Sequence, residues 1–430
     1  MEQIVNSFKP SLRPKSYDKS IIRTNKSTIE RFLPIVASIW FFKVLNSYLV
    51  WNFLAPVFHF LPALLVLWGT FLLSDRLSSS RYNRILCLCT FLYYIWIVIA
   101  RSESFASLIK ISTDYVPFLC IILWPTELQI KTYRTIRKVI IFFAIGSAIL
   151  SVLILLGFHE RIPHLVLPAR EVLHERLGIY YHLYFFFIAD VSPIMGVSSR
   201  ACGMLQEPGH FAILLGIIYL IDRLSNQKLN NWIVICGLLT FSSTFFLIVL
   251  FTEIHHLFSL KGVRTFSLFM IAFIVFIFVL FHFLPTGIQD QIYYYAYGRN
   301  LEKVLEAYNE TSSLTGALDE RASDYSIANY EKMSPMQYLF GGGYRDVGYA
   351  LSDYRGMILD IGVWGMSLAI ISYLCILIKT PFKLKMALGF VFFLVIIHRS
   401  WMLYQPYIFI MAFMAVVAYR MSQENVCNDI

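Results

Sequence analysis

The residue types best suited to chemistry stand in two polar segments of this chain, each running into an apolar one. The first reads Ser199, Arg200, Ala201, Cys202, Gly203, Met204, Leu205, Gln206, Glu207, Pro208, Gly209 and His210. Arg200 offers a fixed cation whose planar fork matches phosphate oxygens in pairs and does not lose its charge. Glu207 is the first choice for a base that takes a proton from a hydroxyl, with His210 and Asp353 beside it. A blander reading stays open: Arg200 snorkels to lipid headgroups, and Glu207 interacts favourably with the dipole and spare N–H groups of the following helix.

The second segment reads Leu339, Phe340, Gly341, Gly342, Gly343, Tyr344 and Arg345, then Leu351, Ser352, Asp353, Tyr354 and Arg355. Gly341 and Gly343 would let backbone N–H groups approach an anion closely, as a nest does. Upstream, Arg321 stands among Asp319, Glu320 and Asp324 as another cation. Arg345 and Arg355 stand behind Arg200 and Arg321 as anion-binding candidates. A flexible solvated loop is the alternative for the glycine run. Tyr295, within the run of Tyr293, Tyr294 and Tyr297, could stack on a sugar ring or belong to an interfacial aromatic belt.

The elements that must position these residues are set by composition. Of 430 residues, 58% are apolar and 15% charged, against the roughly 45–50% and 25% of soluble chains. A water-facing surface cannot be built from this, and a mean hydropathy of +0.64 agrees. The chain reads as an all-α polytopic membrane protein. Its net charge of +9 then marks cytoplasmic loops, not a nucleic-acid partner. Five of the seven cysteines, Cys87, Cys89, Cys120, Cys236 and Cys375, lie in apolar runs, so no disulfide framework is expected. The first 31 residues are polar and basic with no early apolar core, which predicts a cytoplasmic tail and no cleavable signal peptide.

A span needs about 20 apolar residues to cross roughly 30 Å of hydrocarbon. Candidates start near Phe32, Phe53, Ile85, Phe105, Val139, His210, Thr265, Gly356, Met386 and Tyr404. Arg76, Arg81 and Arg84 follow the second, Lys131, Arg134, Arg137 and Lys138 the fourth, and Arg223 and Lys228 the sixth, so even spans end inside. The 32-residue run from Leu229 to Leu260 breaks this rule if it crosses once. A hairpin turning at Ser242, Ser243 and Thr244 restores it. The expectation is therefore twelve helices, both termini cytoplasmic, and two large outer loops. Residues 1–31 form the tail, 32–157 spans one to five, 158–209 the first loop, and 210–284 spans six to nine. Residues 285–355 form the second loop, 356–420 spans ten to twelve, and 421–430 a second tail. Tyr180, Tyr181, Tyr184 and the Phe185–Phe187 run suggest a part of the first loop lying along the outer interface.

A charge inside a span is by default a functional candidate. Lys110 and Asp114 stand one helical turn apart and could pair with each other. Lys43 has no such local partner and could face a bound anion or a second helix. Glu253, His255 and His256 fall near the inner interface and read as solvated.

Taken together, these patterns resemble the bacterial O-antigen polymerase and O-antigen ligase superfamily of integral membrane glycosyltransferases. The resemblance lies in Arg200, Gly203, Glu207, Pro208 and Gly209 before a span, the Ser242–Thr244 turn, and Phe340, Gly341 and Gly343 followed by a span with Gly362 and Gly365. It covers about Arg200 to Ile370 in motif, and the rest of the chain in layout. Ligases usually carry a His-Asn pair where Ser352 and Asp353 stand, which favours polymerase. Polymerases often show serine then arginine in the hairpin turn, where this chain has Ser243 and Thr244.

The resemblance implies a GT-C-like fold in the bacterial inner membrane. It also implies transfer of a growing glycan from a polyprenyl-pyrophosphate carrier to a lipid-linked repeat unit, in O-antigen or capsule synthesis. Partners would be lipid-linked oligosaccharides, membrane lipids, a chain-length regulator and a flippase. The leaving group is already activated, so no cofactor or metal is expected. Arg200, Glu207, Arg321 and Asp353 would be catalytic, and His210, Lys43, Gly341, Gly343, Arg345, Arg355 and Tyr295 would bind substrate. O-antigen ligase is the nearest alternative, and a lipid-linked oligosaccharide flippase or other transporter is the alternative of a different class. Transporters usually bind at the midplane, whereas this chain keeps most of its polar residues in two loops.

Overall fold

The computed structural model describes residues 19–45, 56–78, 80–102, 104–168, 180–192, 196–205, 207–225, 230–257, 286–293, 324–342 and 353–428. Helices α1 (Lys19–Val44), α2 (Pro56–Leu72), α3 (Arg81–Arg101), α4 (Phe105–Leu123) and α5 (Thr126–Leu155) form the first half of a bundle. After a small sheet come α6 (Pro208–Leu224), α7 (Asn231–Leu239) and α8 (Ser243–Leu257). Shorter α9 (Thr286–Tyr293), α10 (Asp324–Glu331) and α11 (Pro335–Phe340) precede α12 (Tyr354–Leu377), α13 (Phe382–Arg399) and α14 (Tyr407–Asn428).

Among the described residues, five helical stretches are long and apolar enough to cross a membrane: α3, α4, α5, α12, and α13 continued through a 3₁₀ turn to Tyr404. Helix is the form such sequence must take, because lipid offers no partner to an open backbone N–H or C=O. The chain is a helical membrane protein. Outward-facing Trp68, Phe71, Leu88, Ile99, Phe142 and Trp364 fit lipid contact. Helix α14 is the pillar: every side chain from Tyr407 to Ala415 is at most 2% exposed. Eleven of the twelve expected spans coincide with described helices. The span expected from Thr265 lies outside the described residues.

Polar bonds fix the pairing of helices. The Tyr82 hydroxyl donates to the Ile376 carbonyl and the Trp96 indole to that of Ile361, so α3 and α12 run antiparallel. Lys43 donates to the Thr113 hydroxyl at 3.0 Å and pairs with Asp114, which ties α1 to α4. The lone-looking lysine thus has its partner on a second helix. Arg137 forks onto Asp222, a fully buried carboxylate, joining α5 to α6. Glu253 is not merely solvated: it is buried and takes both Arg223, at 2.6 and 2.9 Å, and the Tyr219 hydroxyl.

The expected hairpin is present two residues early, with its break at Thr240–Ser242. The Phe245 ring packs where a Cβ on Gly237 would stand, which brings α7 and α8 face to face. Pairing Gly216 with Ile248 and Arg223 with Glu253 makes α8 parallel to α6. At ~1.5 Å per residue, α7's nine residues reach about 13 Å, less than half of a bilayer core.

The all-α expectation is corrected by a four-stranded antiparallel meander, β1 (Leu165–Pro168), β2 (Tyr180–Tyr184), β3 (Phe187–Ser192) and β4 (Gly196–Val197). Tyr181 and Leu183 alternate inward along β2, a period of two that the density of aromatics obscures in sequence. The two-residue turn Phe185–Phe186 leaves both rings exposed. Behind it Phe187 fills the space over Gly146 of α5 and meets the rings of Phe142 and Phe143, so the sheet is fastened to the C-terminal half of that helix.

Candidate functional site

At the sheet-bearing end of the bundle, residues from four distant stretches converge on Arg399, the last residue of α13. Glu207 sits at the N-cap of α6, yet its side chain makes no capping bond. Its carboxylate instead pairs with the Arg399 guanidinium. Gly209 makes this possible, since a Cβ there would lie 2.9 Å from the Arg399 Cζ and 3.0 Å from its Nε. The Nε itself is buried with no partner among the described residues, as is the Tyr407 hydroxyl at the start of α14. The Arg200 guanidinium is an electrostatic neighbour of Arg399, as is Tyr407.

Arg200 is held from below by the short hairpin. Its Nε donates to the Thr240 carbonyl at 3.0 Å, and Ala201 N–H donates to the Leu239 carbonyl at 2.9 Å. The next residue, Phe241, has φ 46, a backbone state that bulky residues rarely adopt. The serine- and threonine-rich turn therefore serves through its backbone.

His210 is a buried residue of the same pocket, not an interfacial one. Its ring lies 4.7 Å from that of Tyr407 and 5.7 Å from Trp401, edge-on to the latter. Asp353 caps α12 by accepting from Arg355 N–H at 2.9 Å, and also receives the Arg355 side chain at 2.7–3.2 Å. With both oxygens so committed, Asp353 is a poorer base than Glu207. The Ser400 hydroxyl donates to the Asp353 carbonyl, which seats the start of α12 beside Arg399.

Gly341 plays a different part from an anion nest. Its N–H donates to the Gln337 carbonyl, and Gly342 N–H to the Leu359 carbonyl. Gly362 interrupts α12 at φ 70, and its backbone lies so near Leu339, Phe340 and Gly341 that neither chain has room for a Cβ. The two glycine motifs thus meet as a backbone-to-backbone joint. Gly365 gives room to Trp96, whose indole takes the Ile361 carbonyl that the interruption frees. Nearby, Arg101 lies 3.5 Å from Asp360 and covers the Tyr404 ring at 4.0 Å.

Arg200, Glu207, His210, Asp353 and Arg355 are thus brought to one end of the bundle, while Arg321, Gly343, Arg345 and Tyr295 lie outside the described residues. Arg399 and Tyr407 escape a sequence reading because each stands at the edge of an apolar run, Arg399 closing α13 and Tyr407 opening α14, with nothing in the sequence to join them to the first polar segment. The available signal was a lone arginine between apolar runs. Burial pushes the Cys202 thiol well up from its ordinary value, which leaves it inert. Among the described residues no group of three or more His, Cys, Asp or Glu side chains could hold a metal. Comparison with protein-family models, curated proteins and solved structures gives no match.

Proposed function

We propose that the chain is a polysaccharide polymerase: a GT-C-like membrane glycosyltransferase of twelve spans in a bacterial inner membrane, both termini cytoplasmic. It would extend O-antigen or capsule repeat units on the outer leaflet. One observation carries the reading. The arginine and glutamate of the first polar segment, chosen from sequence for anion and proton chemistry, lie against Arg399, and the aspartate of the second, with the arginine it holds, is tied beside Arg399 through Ser400.

The reaction needs a hydroxyl of the acceptor repeat unit to attack the anomeric carbon of the growing chain. The bond from that carbon to the pyrophosphate oxygen breaks, the electron pair leaves with the polyprenyl pyrophosphate, and the hydroxyl proton goes to a base. Arg200, Arg399 and Arg321 are assigned to the departing pyrophosphate, whose charge grows as the bond breaks. Glu207 is assigned the proton. The ion pair suits both roles: pyrophosphate competes with Glu207 for the Arg399 fork, and the carboxylate it displaces is free to act as base. The Glu207 side chain is 42% exposed against 18% for Arg399, so the carboxylate is the partner with room to move.

Purified protein in liposomes, given lipid-linked repeat units, should make lipid-linked multimers. Transfer to lipid A core instead would mark a ligase, and translocation without new glycosidic bonds a flippase; either sinks the proposal. In cells, deletion should reduce the surface glycan to a single repeat.

A further inference from the structure

A second cavity opens at the far end of the bundle from Arg399, between α5 and α14. It measures about 450 Å³ and is lined by Tyr133, Arg134, Arg137 and Lys138, with Ile130 and Met421 among its apolar walls. That volume falls in the range of sites that hold small ligands. Its charges do not cancel. Arg137 is spent on the buried Asp222 in a two-pronged bond. Arg134 and Lys138 stand one turn apart on the same face, a repulsive spacing, and neither forms an ion pair among the described residues. The Tyr133 hydroxyl is the second, independent sign. Tyr133 is 2% exposed and lines the cavity, and its hydroxyl has no hydrogen-bond partner among the described residues. A buried hydroxyl without a partner is unfavourable unless something in the cavity supplies one.

We propose that this cavity is a phosphate-binding site, with Arg134 and Lys138 supplying charge and the Tyr133 hydroxyl donating to a phosphate oxygen. The same chemistry is offered by the headgroup of an anionic phospholipid and by free phosphate. An ammonium, a guanidinium and a hydroxyl donor among the lining residues suit the oxygens of one phosphorus. Ile130 and Met421 would meet the less polar part of a lipid headgroup. The site is separate from the Arg399 pocket and does not depend on the reaction assigned there.

The test uses the full-length protein in neutral detergent, titrated in separate arms with phosphatidylglycerol, phosphatidylcholine and inorganic phosphate, with binding followed by native mass spectrometry and calorimetry. Phosphatidylglycerol should bind at least tenfold tighter than phosphatidylcholine if the source is lipid. Saturable binding of inorganic phosphate identifies a free anion instead. In whichever arm binds, Tyr133→Phe should weaken affinity about tenfold or more, as loss of one hydrogen bond to a charged acceptor does. The Arg134→Gln, Lys138→Gln double variant should weaken it more, and its salt dependence should fall. Lys131→Gln, an exposed cation of the same helix that does not line the cavity, should leave binding unchanged. Failure of both phosphatidylglycerol and inorganic phosphate to bind overturns the proposal, as does equal binding of phosphatidylglycerol and phosphatidylcholine with none of inorganic phosphate. So does equal weakening by Lys131→Gln and Arg134→Gln, which would reduce the effect to general surface charge.

Discussion

Glu207 and Arg399 form an ion pair across 192 positions of sequence, joining the start of α6 to the end of α13. A carboxylate at a helix N-terminus ordinarily has the N–H groups of that helix to bond. Here it turns away from them to a guanidinium that has no other carboxylate beside it among the described residues. The carboxylate also sets a negative charge beside two guanidiniums, Arg200 and Arg399, that repel each other. An arrangement that keeps cations close and balances them with one movable carboxylate is suited to receiving an anion.

On the proposed reaction, Arg399→Ala should lower polymer formation by about 10²–10³, the usual effect of removing a preorganised donor to a developing charge. Glu207→Gln should lower turnover but leave binding of lipid-linked substrate equal or tighter, because it removes the internal competitor. Chain-length analysis on gels together with a binding assay separates the two. Equal loss of binding in both variants would remove Glu207 from the role of displaceable base.

Gly362→Ala should destabilise the protein by about 1–3 kcal/mol, the range for a residue forced into a rare backbone state. The new methyl group also meets the backbone of Leu339 and Phe340, which cannot swing aside as a side chain can. Thermal unfolding in detergent measures this. Gly389→Ala, where a Cβ meets nothing, is the control and should change little.

The helices were legible because an apolar run of span length has one stable form in lipid, and the charge rule required a hairpin in the Leu229–Leu260 run, which the serines and threonine at 242–244 placed to within two residues. The sheet was not, because Tyr180–Ser192 carries aromatics on both faces and at its turn, so no clean alternation marks it. Glycines were legible as special positions but not in purpose. Gly209 accommodates the side chain of Arg399 and Gly341 the backbone near Gly362, contacts between residues far apart in sequence. Arg399 lay hidden for the same reason, since its importance comes wholly from what α6, α12 and α14 bring to it.

The sheet should loosen in mild acid. His182 stacks on His164 at 4.2 Å, and burial, with the charges of His164 and His159, lowers its pKa from 6.5 to about 4. The folded state thus binds its proton less readily than the unfolded one, so this stabilisation is complete above pH 6.5 and is lost as pH falls from there to about 4. Hydrogen exchange of the Tyr180–Ser192 amides should accelerate over that window. His182→Gln should flatten the response. An unchanged profile in that variant would assign the loosening to other groups.

On the proposed topology, a reporter active only outside the cytoplasm should work when fused after Ile179 or Ala317 and fail after Lys261. The argument turns on the Thr240–Ser242 break, because without it Lys261 and everything after it change sides. An outside signal after Lys261 would move the second polar segment away from Arg200 and undo the assigned site.

Arg200 and Arg321 are assigned to one pyrophosphate from two separate loops, so Arg200→Ala and Arg321→Ala should each nearly abolish polymer while the protein inserts normally. Lysine tests the finer point. Arg200 already commits its Nε to the Thr240 carbonyl, which fixes the plane of the fork, and on the proposed reaction the same group meets the pyrophosphate. An ammonium on a flexible stem cannot satisfy both at once. Arg200→Lys should then restore little activity although it restores charge. If Arg200 serves only to snorkel toward headgroups, lysine should do as well and even alanine should leave long chains. Wild-type chain lengths in the Arg200→Ala and Arg321→Ala variants at matched expression would take both residues out of the reaction and leave Arg399 as the cation to explain.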